Sequence, residues 1–438
     1  MPQAITLTPK DVSLSDSIRI PTSGPIHATV QPPGSKSITN RALVCAAMAE
    51  GASTLHGVLD SEDTRVMVEC LQKLGIVTES DWTASRMKVF GTAGKIPSKN
   101  ADLFVANSGT TIRFLTAMLA AGNGGYRLDG IPRMRERPIG DLLDALQQLG
   151  VDARSEFDND CPPVLIDTIG LEGGTASVKG SISSQYLSGL LMMSPLGKKR
   201  TRLQVDGELV SKPYVDMTIE VMSAFGVEVR RNNETHSFDT RPTTYRSTDY
   251  LIEPDASAAS YFWAAAAITG GKIKVTGLTR KALQGDVGFC ECLVKMGCAL
   301  IEEPNSITLL GQPLRGIDVN MNAISDTVQT LAAVALFAEG PTTIRGVAHN
   351  RHKETDRIGD LAHELRRVGA TVEEFDDGMT IIPGPLNGAE LETYNDHRMA
   401  MSLALIGLGQ PGVVIKNPGC TVKTYPKYFD ELKAILAE

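Results

Sequence analysis

The chain has 438 residues, 42% hydrophobic and 21% charged, with a formal net charge of −8. That length exceeds what one hydrophobic core usually fills, so two domains are expected, and the negative balance argues against a nucleic-acid partner and makes any basic cluster a local feature. No apolar run approaches the roughly 20 residues of a membrane span, and the opening segment MPQAITLTPKDVSLSDSIRI has the pattern of neither a secretory signal nor a transit peptide, so a cytoplasmic protein with no membrane contact is expected.

Along the chain, six passages share one pattern, a polar or small-residue start running into an aliphatic helix. They are SKSITNRALVCAAMAEG from Ser35, NSGTTIRFLTAMLAAG from Asn107, SSQYLSGLLMMSPLG from Ser183, DASAASYFWAAAAITGG from Asp255, SDTVQTLAAVALFAEG from Ser325 and NDHRMAMSLALIGLG from Asn395. A spacing of about 70 residues is long enough for one supersecondary unit. Between them lie amphipathic helices such as DTRVMVECLQKLGI, PIGDLLDALQQLGV, VDMTIEVMSAFGVEV and DRIGDLAHELRRVGATVEE. Apolar residues recur in these at three- and four-residue steps. Most close on a Leu-Gly, Phe-Gly or Val-Gly step and lead into a β-branched segment. The repeat therefore reads as a βαβαββ unit present six times, three to a domain, in an α/β (α+β) fold. The nearly all-apolar helices pack inside sheets. Their polar starts serve either as N-caps or, if they face a cleft between domains, as anion sites built from free N–H groups and helix dipoles.

The cysteines (Cys45, Cys70, Cys161, Cys290, Cys292, Cys298, Cys420) sit mostly in apolar helical surroundings and read as free thiols of a reducing compartment. No His/Cys grouping has metal-ligand spacing, and His349 with His352, the nearest pair, lies among cations. Neither metal nor cofactor is expected. The sequence has no GxxxxGK[ST] phosphate loop, no GxGxxG after a strand, no GxSxG and no HExxH.

The basic residues cluster by position. Lys36 and Arg41 flank the start of the first apolar helix, Arg113 is one turn into the second, and the loop PRMRERPIG carries Arg133, Arg135 and Arg137. NRHKETDRIGD carries Lys353, Glu354 and Arg357; on a helix Lys353 and Arg357 would share a face and Glu354 would point away. Arg398 starts the sixth helix and Lys423 lies in CTVKTYP. Arg113 and Arg398 adjoin Phe, Leu and Met runs, where an unpaired charge is costly and an anionic ligand would satisfy it. Asp326 heads a helix, as an N-cap or a proton carrier, and Glu354 lies among cations, as an ion-pair partner or a proton carrier.

In order and spacing, PGSKSITNRAL, LDSEDTR, NSGTTIR, PRMRERPIG, GSISSQYL, GELVSKPYVDMT, DASAASYF, KETDR and YNDHRMAMSLAL make the chain resemble the 5-enolpyruvylshikimate-3-phosphate synthase family from about Arg19 onward. The resemblance implies two domains, each of three βαβαββ units with buried parallel helices. Residues 33–254 would form one, and residues 1–32 plus 255–438 the other, with crossovers near Gln31–Gly34 and Glu253–Asp255. It implies transfer of the enolpyruvyl group of phosphoenolpyruvate to the 5-hydroxyl of shikimate 3-phosphate by a monomeric enzyme that uses no cofactor and that glyphosate inhibits. Lys36, Ser37 and Arg41 would hold shikimate 3-phosphate, with Ser183, Ser184, Gln185, Ser211 and Tyr214 completing its site. Asn107, Gly109, Arg137, Arg357, Arg398 and Lys423 would hold phosphoenolpyruvate, which Lys36 would also touch. Asp326 would accept the hydroxyl proton, Glu354 would protonate the methylene carbon, and Lys353 would position shikimate 3-phosphate and polarise Glu354.

Three features depart from the family pattern: Phe114 follows Arg113 where many relatives carry proline, HNRHKE stands for the more usual NWRVKE, and the N-terminal tail is about ten residues longer than in compact relatives and is expected to be loosely ordered. His349 thereby takes the place of an amide and is given no role. Three other readings are open to the same repeats. A UDP-N-acetylglucosamine enolpyruvyl transferase would carry a reactive cysteine near PRMRERPIG, and none lies there. An RNA 3′-phosphate cyclase would be expected to interleave aromatic and basic residues. A non-catalytic anion-binding protein would have no need of both Asp326 and Glu354.

Overall fold

A computed structural model describes residues 16–436; the expectation about the N-terminal tail concerns residues outside that range. Six buried helices are its framework: α1 (Lys36–Met48), α2 (Gly109–Leu119), α3 (Ser184–Met193), α4 (Ala256–Thr269), α5 (Val328–Ala335) and α6 (His397–Gly409). Side chains cap five of them at the N-terminus, Ser35, Ser108, Ser183, Asp255 and Asp396 each accepting from an N–H two or three residues on. The exception is α5. A 3₁₀ turn, Asn322–Thr327, precedes it and is broken at Ile324 by non-helical dihedrals. Asp326 lies in that turn and caps nothing, which frees its carboxylate for other partners.

The strand pattern follows from the repeat. Asn100–Phe104 runs parallel to Gly124–Asp129, the crossover helix α2 between them; Val164–Thr168 pairs antiparallel with the latter and Asp152–Ser155 lies at the edge. The same order recurs in the sheet of Gly174–Lys179, Thr201–Asp206, Ser237–Thr240 and Arg230–Asn232, and in that of Asp318–Asn320, Thr342–Arg345, Gly378–Ile382 and Thr371–Phe375. Two units take their first strand from elsewhere in the chain. Ala49–His56 is joined by Tyr245–Arg246 and Asp249–Leu251, and Lys272–Thr276 by His27–Val30. The sixth unit falls short of the expected four strands. Its sheet has three, Glu390–Leu391, Val414–Lys416 and the N-terminal Ser17–Arg19, because the chain turns into the helix Tyr428–Leu436 in place of a closing hairpin.

Buried apolar side chains form two separate clusters. One runs from Ile38 to Ile252; the other gathers Ile20, Ile26 and Val30 with residues from Ala256 to Ile435. The chain passes between them twice, side by side. Gly34 pairs with Pro254, Ser35 N–H donates to the Glu253 carbonyl at 2.9 Å, and Asp255 N–H to the Pro33 carbonyl at 2.8 Å. Only glycine fits at 34, since a Cβ there would lie 1.7 Å from the Gly57 carbonyl oxygen.

Candidate active site

Helix starts from both core clusters converge on one cleft. Lys36 comes from the first turn of α1, Gly109, Thr110 and Arg113 from α2, Ser183, Gln185 and Tyr186 from the start of α3, Asp326 from the turn before α5, and Arg398 from α6. The turn after the 3₁₀ segment Ala348–His352 adds Lys353, Glu354 and Arg357. Six cations (Lys36, Arg113, Arg137, Lys353, Arg357, Arg398) therefore face three carboxylates (Asp63, Asp326, Glu354). His349 adds no charge near neutral pH, since burial and then the Lys353 ammonium push it down to about 3. The surplus of positive charge suits ligands bearing carboxylate and phosphate. The cleft encloses only about 40 Å³, room for a few waters, because its own acids and bases are paired across it.

Arg357 is the hub of that pairing. Its Nε and Nη2 donate to both oxygens of Asp396 at 2.7 and 3.1 Å, Nη2 also reaches Glu354 Oε2 at 2.9 Å, and Nη1 lies 3.3 Å from Asp326 Oδ1. Arg398 Nη2 donates to Asp326 Oδ2 at 2.7 Å, and Lys423 Nζ sits 2.9 Å from Glu354 Oε1. Burial alone would raise both acids' pKa values. The cations win: Arg398, Lys353 and Arg357 hold Asp326 far below the usual carboxylate range, and Lys423, Arg357 and Arg137 do the same for Glu354. The helical reading of Lys353–Arg357 is corrected here. These residues form an irregular turn and the following helix begins only at Gly359, which is why Glu354 faces Arg357 instead of pointing away. Lys353, lowered to about 8 by burial, lies 4.0 Å from Asp326, and Lys423 is the ammonium bonded to Glu354.

Arg113 and Arg137 differ from these. Both are buried and neither pairs with a carboxylate among the described residues. Arg113 donates to the carbonyls of Gly109 and Pro138 and to Gln185; Arg137 donates to the Asn107 carbonyl; the Nε of each has no partner. Burial lowers Arg137 to about 10. Gly109 lies between the two guanidinium groups, and a Cβ on it would be 2.5 Å from Arg137 Nη2 and 2.6 Å from Arg113 Nη1. Two desolvated guanidinium groups at a glycine-bared helix start are suited to an anion.

Of the residues to which the resemblance gives a role, Lys36, Gly109, Arg137, Ser183, Gln185, Asp326, Lys353, Glu354, Arg357 and Arg398 line the cleft. The others lie just behind it. Arg41 is fully buried, its donors taken by Thr218, Ser188 and the carbonyls of Ser37 and Tyr214, with its guanidinium over the Phe114 ring at 5.1 Å. Phe114 thus turns toward the core and leaves α2 regular. Ser184 is buried in α3, Asn107 supplies its carbonyl to Lys423 and Arg137, and Ser211 Oγ meets Ser325 and His349. Tyr214 OH lies 3.1 Å from Asp326 Oδ2. Sequence reasoning missed Asp63, 3.4 Å from Lys36, and Asp396, the anchor of Arg357. A signal for Asp396 existed, because it heads a repeat helix as Asp255 does; Asp63 had none beyond its place in LDSEDTR.

Two assemblies of one repeating unit, closing a cation-lined cleft with carboxylates inside, are the fold of the enolpyruvyl transferases. The structure superimposes on an EPSP synthase from Acinetobacter baumannii with a TM-score of 0.80, at 24% identity and with 96% of this chain and 97% of that one covered. A second structure of the enzyme from that organism gives 0.78 at 22% identity, covering 95% and 97%. The family model for EPSP synthase (3-phosphoshikimate 1-carboxyvinyltransferase) matches residues 20–432, and the chain belongs to that family. Proteins named 3-phosphoshikimate 1-carboxyvinyltransferase from Nostoc punctiforme, Trichormus variabilis and Serratia proteamaculans are 48%, 49% and 47% identical to it, over 97%, 94% and 96% of this chain and 100%, 98% and 99% of theirs.

Proposed function

We infer that the chain transfers the enolpyruvyl group of phosphoenolpyruvate to the 5-hydroxyl of shikimate 3-phosphate and releases phosphate. Beyond family membership, the observation that carries this reading is Arg357, whose one guanidinium touches both Asp326 and Glu354, which supports their acting as the two proton carriers of one addition.

Asp326, held ionised, takes the proton of the attacking hydroxyl as its oxygen bonds to C2 of phosphoenolpyruvate. Glu354 gives a proton to C3, and a tetrahedral intermediate forms. A proton then returns from C3 to Glu354, the C2–O bond to phosphate breaks, the proton held by Asp326 leaves with the phosphate, and Lys36 offsets the charge of the departing group. Glu354 must be protonated to begin, yet Lys423 and Arg357 hold it ionised. Phosphoenolpyruvate resolves this conflict by engaging those cations, after which burial dominates and the Glu354 pKa climbs. Arg113, Arg137 and Arg398 complete the cradle for its carboxylate and phosphate. Ser183, Ser184, Gln185 and Ser211, with Arg41 and Tyr214 behind them, serve shikimate 3-phosphate.

The small cleft volume supports entry of substrates into an opened form, with residues 33–254 acting as one domain and residues 1–32 with 255–438, of which 16–32 and 255–436 are described, as the other. Closure is held by Arg133, which donates to the Lys353 and Glu354 carbonyls at 3.1 Å, and by Lys423, which donates to the Asn107 carbonyl at 2.8 Å; it keeps water from the intermediate. The enzyme acts as a cytoplasmic monomer, and glyphosate, a small anion, inhibits it at the Gly109 cradle.

The test is phosphate release from purified protein given phosphoenolpyruvate and shikimate 3-phosphate. Asp326→Asn and Glu354→Gln should each lower turnover by about a hundredfold or more, the usual scale for proton-transfer groups. Release with UDP-N-acetylglucosamine in place of shikimate 3-phosphate would overturn the assignment.

A further inference from the structure

One buried carboxylate beside the cleft has no part in the chemistry above. Asp286 lies in the 3₁₀ turn Gly285–Gly288, 2% exposed, against the first turn of α4. Its Oδ2 accepts from the Ser257 hydroxyl and lies 3.0 Å from Tyr214 OH. The same phenol oxygen is 3.1 Å from Asp326 Oδ2. A phenol has one proton, so it can donate to only one of two carboxylates at nearly equal distances. Asp326, gripped by Arg398 and Arg357, stays ionised and has no proton to offer in return. Asp286 Oδ1 is buried without a hydrogen-bond partner among the described residues, which makes it the oxygen on which a proton can reside.

We propose that Asp286 is a positioning residue for this reaction: it competes with Asp326 for the single proton of the Tyr214 hydroxyl and, when ionised, draws that proton away so that Asp326 is free to take the proton of the attacking hydroxyl. The inference rests on Asp326 being the base. In the protonated form, Asp286 Oδ2 is a poorer acceptor, the phenol turns to Asp326, and a donor on Asp326 makes it a weaker base. The negative charge of ionised Asp286 also favours protonation of Asp326, so both effects act in the same direction.

The groups facing Asp286 are Tyr214 from the helix Lys212–Ala224, Ser257 from α4, Asp326 from the turn before α5 and Arg398 from α6. Burial, followed by the charge of Asp326, raises Asp286 to about 6, outweighing Ser257, Arg398 and Tyr214. The switch therefore lies near pH 6. Asp286 loses its proton as pH rises through that value, and turnover rises with it.

The experiment compares kcat against pH, at saturating phosphoenolpyruvate and shikimate 3-phosphate, for wild type, Asp286→Asn, Tyr214→Phe and the double variant; ionisation of the substrates is common to all four. Asn cannot ionise and leaves the phenol proton on Asp326, so Asp286→Asn should lack the limb near pH 6. Its plateau should be lower by about tenfold, the change that one pKa unit of basicity represents. Tyr214→Phe has no proton to share and should keep at most the smaller limb left by the charge of Asp286 on Asp326, which keeps the idea testable if Asp286→Asn folds poorly. The double variant should lack the limb and recover most of the plateau that Asp286→Asn loses, because no phenol proton is left for Asp326. A wild-type limb and plateau in Asp286→Asn, or a limb near pH 6 of wild-type size in Tyr214→Phe, would overturn the proposal. Asp326→Asn separates the two failures: normal turnover there removes the base itself, and this inference with it, whereas a dead Asp326→Asn beside a wild-type Asp286→Asn removes only the inference.

Discussion

Asp396 and Arg357 form a two-point pair, Nε to Oδ2 at 2.7 Å and Nη2 to Oδ1 at 3.1 Å, while the same Asp396 caps helix α6. The helix start thereby fixes a guanidinium whose remaining N–H groups reach both proposed proton carriers. A bidentate, charge-assisted pair restrains orientation as well as distance.

Asp396→Asn keeps an acceptor for the cap but removes the charge that holds Arg357. Hydrogen bonds to charged groups contribute about 1.5–3 kcal/mol, so KM for phosphoenolpyruvate should rise about tenfold or more. KM for shikimate 3-phosphate should change less. Steady-state kinetics with each substrate varied in turn checks this, and equal effects on both would show that Asp396 supports the whole cleft.

At Gly109 an added methyl has nowhere to go without moving Arg137 and Arg113. Gly109→Ala is expected to weaken phosphoenolpyruvate by roughly tenfold, the effect of about 1.4 kcal/mol lost from repacking, and to weaken glyphosate in step. Inhibition constants measured beside KM read this directly; unchanged values would mean that the anion sits elsewhere.

Phosphoenolpyruvate that takes Lys423 and Arg357 from Glu354 should leave a buried acid with a raised pKa. Proton uptake on binding is the expected signature near pH 7. Titration calorimetry in two buffers of different ionisation enthalpy measures it, and Glu354→Gln should abolish it. The direction follows from linkage, since a pKa that rises on binding takes up protons at any pH between the free and bound values.

Where the two chain crossings lie side by side, Gly34→Ala forces a methyl into the Gly57 carbonyl. Overpacking of this kind costs about 1–3 kcal/mol, and backbone is less able to yield than side chain. Denaturant unfolding should report the loss, together with reduced turnover, because the crossing sets how the two halves meet.

Much of the fold was legible from periodicity. The six helices, their polar starts and the amphipathic helices between them all follow from which residues are apolar and at what spacing. The exceptions were local and had physical causes. Asp326 reads as a helix cap until the break at Ile324 is known, and Lys353–Arg357 reads as helix although the chain there is irregular. Those two departures are what turn the acids into the cleft.

The sequence by itself determined the unit, the count of units and the set of cations, because burial pattern and charge are properties of each segment alone. Only the tertiary structure decided which charge meets which. Asp396 with Arg357, Lys423 with Glu354, and Asp286 with Asp326 through Tyr214 join residues up to 112 positions apart. Such pairings depend on how five of the six helix starts are aimed at one cleft, and no local preference records that aim.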